Sequence, residues 1–152
     1  MARLFGAGRV EGMREYMRQF AASFGITDMT QPAHLPNTRR TLAVGEYARE
    51  QGRLTELRHA AMDAHWRRGL DLEDEGVIRA LALEAGLDPE AAAAALSDPR
   101  YLARVDDLRR EATRAGVTGI PTFFLGDRVV VGCQPYGVLA EAAEAAGARK
   151  KS

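Results

Sequence analysis

Two β-rich runs near the C-terminus are separated by only two residues, and that spacing restricts the fold more than any other feature of the chain. The first, Val117-Thr118-Gly119-Ile120-Pro121-Thr122-Phe123-Phe124-Leu125, meets the second, Arg128-Val129-Val130-Val131-Gly132, across Gly126-Asp127. A parallel crossover needs a dozen or more residues, so the two runs must pair antiparallel as a hairpin. Gln134-Pro135 then leads into a final helix that reaches residue 146.

Before Gly116 the chain reads as a series of helices, in keeping with the abundance of alanine, leucine, arginine and glutamate. Residues 12–24 set Met13, Met17 and Phe20 on one stripe with Tyr16 beside it, an amphipathic helix stopped by Gly25. Residues 26–36 contain two prolines and no periodicity, which predicts a loop, and His34 lies in it. Asn37 or Thr38 caps a second helix that runs to Gln51, with Leu42 and Tyr47 on its buried side and Gly52 as its stop. A third helix over residues 54–68 carries Leu57, Ala60, Ala61 and Ala64 with the neighbouring Trp66, and Gly69 ends it. Residues 71–74 are acid-rich, as a helix N-terminus favours, and the fourth helix holds Val77, Ile78, Leu81 and Ala82 up to Gly86. Asp88-Pro89 and Asp98-Pro99 each pair a cap with proline at the first helical position. They open a short helix through Leu96 and a longer one over residues 100–115, striped by Leu102, Val105, Leu108 and Ala112. The organisation expected is an N-terminal helix and linker (1–36), a helical domain (37–115), a ββα portion (116–147) and a tail (148–152).

Bulk properties exclude several functions. Lys+Arg and Asp+Glu both number 21, so the formal net charge is zero, and the basic tail 149–151 is too short to recruit nucleic acid. No apolar run approaches a transmembrane span, and the N-terminus has no apolar core of the signal-peptide type. Cys133 is the single cysteine and can form no internal disulfide, which excludes a disulfide scaffold and points to the cytoplasm.

Few residues suggest chemistry. Pro121 opens the first β run, where no ladder donor is needed; it is either a trans proline starting an edge strand or a cis proline making a tight entry. Cys133 reads as a small packed residue, although exposure would let it form a mixed disulfide with a protein or small thiol. His59 and His65 are six apart on one helix and do not face the same way, so no metal site is expected. The pairs Arg39-Arg40 and Arg67-Arg68 read as solvated helix surface, and no glycine-rich phosphate loop exists. Trp66 reads as a core or inter-helix anchor rather than a ligand platform.

The run from Gly116 to Tyr136, with its Gly119-Ile120-Pro121-Thr122-Phe123 element, resembles the corresponding stretch of DsbA-like thioredoxin-fold proteins of the FrnE and 2-hydroxychromene-2-carboxylate isomerase type. Leu35-Pro36-Asn37-Thr38-Arg39-Arg40 and Gly86-Leu87-Asp88-Pro89-Glu90 fit the same type, and the likeness extends over about residues 10–147. It implies a mostly α chain with a C-terminal β-hairpin and helix, a partial, truncated thioredoxin-like α/β fold whose residues 37–115 are the helical insertion. It further implies that Gly119, Ile120 and Pro121 form the cis-proline loop facing a bound thiol substrate, with the Ile120 backbone pairing to it, and that Trp66 lines the cleft.

The strand, Cys-x-x-Cys motif, helix and second strand with which such proteins begin are missing from this chain, and residues 3–12 read as neither strand nor thiol site. The isomerase branch replaces the leading cysteine by serine, but that whole element is missing too, so no catalytic residue is assigned. Three functions remain open: an oxidoreductase by descent with weak or absent redox activity, a non-catalytic binding or assembly module, and a glutathione-dependent isomerase relative whose cofactor supplies the thiol. The uncharged strand Thr122–Leu125, left without its usual neighbour, predicts a homodimer.

Overall fold

In the computed structural model, residues 7–30 and 36–149 are described. Seven helices and one hairpin make up the described residues: α1 (Ala7–Ala22), α2 (Arg39–Glu50), α3 (Leu54–Trp66), α4 (Glu75–Glu84), α5 (Pro89–Ala95), α6 (Pro99–Arg114), β1 (Thr122–Leu125), β2 (Arg128–Val131) and α7 (Tyr136–Ala145). The chain divides into two compact units, Met1–Asp106 and Asp107–Ser152, and the division falls inside α6. The architecture is largely helical with a small C-terminal hairpin, consistent with a truncated thioredoxin-like fold.

The first unit owes its order to caps and small side chains. Asp74 Oδ1 accepts the Val77 amide at 3.0 Å, Asp88 Oδ1 accepts those of Glu90 and Ala91 at 2.8 and 3.1 Å, and Asp98 Oδ1 accepts that of Arg100 at 2.8 Å. Each bond satisfies an amide that the first helical turn leaves without a partner. The core joins α2 through α6, with Val44, Ile78, Leu81 and Leu96 as its largest fully buried side chains. Around them stand Ala43, Ala48, Ala60, Ala64, Ala82, Ala92 and Ala95, whose small side chains let helix backbones approach closely.

On the edge of this core Tyr101 is buried, an anchor the apolar stripe of α6 did not indicate. Its hydroxyl donates to Glu50 at 2.7 Å and accepts from Arg100 Nη2 at 2.5 Å. Burial, with the Glu50 carboxylate as the next cause, pushes the phenol up to about 12, so it stays protonated as the donor.

Three expectations change here. Leu42 is 53% exposed, because α2 turns Ala43, Val44 and Ala48 inward against the alanine face of α5 and leaves Leu42 at the margin; Tyr47 is half-buried against the core. Helix α1 begins at Ala7 rather than at residue 12, running through Gly8 and Gly12, and its stripe is not core: Met13 and Tyr16 are exposed, Met17 and Phe20 half-buried, and Ala21 alone is buried among its described side chains. Tyr16 stacks on Phe20 instead, and Phe24, just past the helix end, meets Phe20 edge-on, with ring centroids 6.1 and 5.2 Å apart. The loop position of His34 and the fold of residues 1–6 and 150–152 lie outside the described residues.

In the second unit β1 and β2 pair antiparallel in the register Thr122↔Val131, Phe123↔Val130, Phe124↔Val129 and Leu125↔Arg128. Gly126 takes the first central position of the turn at φ 58°, a conformation open to glycine. The Arg128 guanidinium reaches Glu141 of α7 at 3.4 Å, so the face bearing Phe123, Leu125, Arg128 and Val130 is the one α7 covers, with Ala142 fully buried. The opposite face, bearing Phe124, Val129 and Val131, is exposed.

Candidate functional site

The loop between α6 and β1 is fixed at both ends and open at its tip. Gly116 at φ 78° ends α6, where the amides of Gly116 and Val117 bond back to Thr113 and Ala112 at 3.1 and 3.0 Å. At the far end the Thr122 hydroxyl donates to the Gly119 carbonyl at 2.6 Å, and the Gly132 amide donates to the Pro121 carbonyl at 2.7 Å. Gly119 packs closely on the hairpin: a Cβ there would lie 3.2 Å from Val131 Cγ1.

Between these ties Ile120 is 90% exposed, and neither its amide nor its carbonyl is bonded among the described residues. The Ile120–Pro121 peptide bond is cis. The loop thus presents an unpaired backbone donor and acceptor on an uncharged, apolar segment. Such a segment can pair with an extended ligand as a strand edge does.

Cys133 is exposed rather than packed, because Gly132 at φ 84° turns the chain out of the ladder just before it. It lies one residue beyond the amide that holds the Pro121 carbonyl. No histidine is present in this unit, so the thiol has no imidazole base within it.

Trp66 and His59 belong to the first unit. Trp66 is half-buried and lines a cavity of about 570 Å³ between α1, residues 26–30 and α3. Two contacts hold residues 26–30 there: the Thr30 amide donates to the Trp66 carbonyl at 2.6 Å, and Arg67 Nε pairs with Asp28 at 2.9 Å. Gly69, at φ 64°, lies beneath this segment, and a Cβ on it would come within 3.1 Å of Thr30 Cγ2. Sequence reasoning missed this latch, since its partners are 36 to 39 residues apart and belong to no periodic pattern. The exposed His59 lines the cavity, while His65 is buried with its ring edge-on to Trp66 at 4.6 Å.

Comparison with known proteins fits this geometry. The DSBA-like thioredoxin domain profile matches residues 3–144. Among solved structures, that of a selenomethionine-labelled 2-hydroxychromene-2-carboxylate isomerase superposes with a TM-score of 0.78 at 23% identity, over 90% of this chain and 66% of that one. At that identity the likeness shows the fold, and this chain spans about two thirds of that protein's length. No curated protein matches. The profile match also corrects the cytoplasmic expectation, because DsbA-family thioredoxin-fold proteins are characteristically periplasmic or secreted. A lone thiol cannot form an internal disulfide in any compartment, so the cysteine count did not report location.

Proposed function

The chain belongs to the DsbA-like thioredoxin family, and on that premise we propose that it is a binding module without thiol–disulfide catalysis of its own, whose Gly119-Ile120-Pro121 loop takes an extended thiol-bearing peptide of the glutathione class. The observation that carries this reading is the exposed Ile120 with its amide and carbonyl unpaired beside Pro121. The chain has no Cys-x-x-Cys pair, so a bound ligand's thiol is the attacking group the loop can present. Likeness in fold to an isomerase supports the same choice over an oxidoreductase.

Calorimetric titration with reduced glutathione is the test. One saturable site is expected, weakened about ten-fold by Ile120→Pro, which removes the amide donor. A flat titration, or an unchanged affinity in the variant, overturns the reading.

The same unit supports a homodimer through Thr122–Leu125. That strand is uncharged and has one edge unpaired among the described residues, and Phe124, Val129 and Val131 lie exposed on the face α7 leaves open. Light scattering at micromolar concentration should give twice the chain mass; a monomer rules the dimer out.

A further inference from the structure

We propose that the cavity between α1, residues 26–30 and α3 binds a soft monovalent metal ion, Cu(I), through the thioethers of Met17, Met29 and Met62 and the imidazole of His59. Of the five methionines in the chain, three line this one cavity, and they come from three separate segments. On α3 the residues His59, Met62 and Trp66 follow at spacings of three and four, so they share one helix face. Met17 approaches from α1, and the latch of Thr30 on Trp66 and of Asp28 on Arg67 holds Met29 beside that face.

The donor set selects the ion. Thioethers are soft, uncharged ligands that suit Cu(I) and give little to Zn(II), Mg(II) or Ca(II). The two carboxylates of the cavity wall are engaged already: Asp28 with Arg67 at 2.9 Å, and Asp63 with Arg67 and Arg68 at 3.4 and 3.1 Å. Among the described residues no group of three or more His, Cys, Asp or Glu stands together as a harder metal site would require. A monovalent ion loses less hydration energy than a divalent one on entering a shell of neutral donors. The Trp66 ring in the same wall adds a cation–π surface, and unbranched methionine side chains can converge on a point from separate elements. The histidine-pair criterion applied to the sequence could not detect this set, because it ignores sulfur.

The test uses the whole chain under anaerobic conditions, with Cu(I) supplied as its acetonitrile complex and competed against bicinchoninate. One Cu(I) per chain is expected, with emission quenched in step; Trp66 is the only tryptophan, so the signal reports this cavity. Met62→Leu, which nearly conserves volume, and His59→Gln, at an exposed position, should each lower affinity about ten-fold or more. Cys133→Ser should leave binding unchanged. No uptake, uptake lost with Cys133→Ser, or affinity unaltered by both Met62→Leu and His59→Gln overturns the proposal. The His59→Gln result stands if circular dichroism shows Met62→Leu unfolded. Glutathione binding at Ile120 is untouched by any of these outcomes.

Discussion

Leu81→Ala is expected to destabilise the helical unit by about 2–5 kcal/mol, the largest effect of any single substitution considered. Leu81 is 1% exposed and sits in the cluster that joins α4 to α3 and α5. Its neighbours include alanines already drawn close, with little side chain to move into the space a leucine vacates, so much of the cavity should persist. Domains of this size hold about 5–15 kcal/mol in total, so the loss is a large fraction of the whole. Urea unfolding followed by Trp66 emission measures it as a lower midpoint at constant slope. Leu83→Ala, two residues on but 68% exposed, should move stability by no more than about 0.5 kcal/mol. Equal effects at the two positions would mean that the burial pattern of α4 is misassigned.

Gly69→Val is expected to cost about 2 kcal/mol or more and to loosen the segment that carries Met29. The residue has φ 64°, where a side chain costs about 1–2 kcal/mol, and β-branching adds to it. The new Cβ also meets Thr30 Cγ2 at 3.1 Å, so the Thr30–Trp66 hydrogen bond should weaken as the segment shifts. Trp66 emission should therefore change in the folded variant as well as in its unfolding midpoint. Gly12→Ala is the control: it lies inside α1 with nothing within 4 Å of its Cβ, and should stabilise that helix by about 0.5–1 kcal/mol. A Gly69→Val protein as stable as the parent would contradict the latch.

The features legible in the sequence were those with a local cause. Gly126-Asp127 allowed only a hairpin, and Asp74, Asp88 and Asp98 sit where aspartate caps a helix. Gly25, Gly52, Gly69, Gly86 and Gly116 all follow helix ends at positive φ. What escaped depends on packing between distant segments. Periodicity shows that α1 has an apolar stripe but not what covers it, so the exposure of Met13 and Tyr16 was invisible. In α2, alanine carried the core contact while the larger Leu42 faced outward. The cavity wall joins residues 17, 26–29 and 59–67, which share no motif, and only the folded chain brings them together.

The central claim is that this DsbA-like chain binds without performing thiol–disulfide exchange, and dithiothreitol-driven reduction of insulin tests it most directly. Insulin precipitation should proceed at the rate of dithiothreitol alone, both with the native chain and with Cys133→Ser. Acceleration by the native chain that disappears in Cys133→Ser would contradict the claim, and would make the exposed thiol beside the Pro121 loop a redox nucleophile.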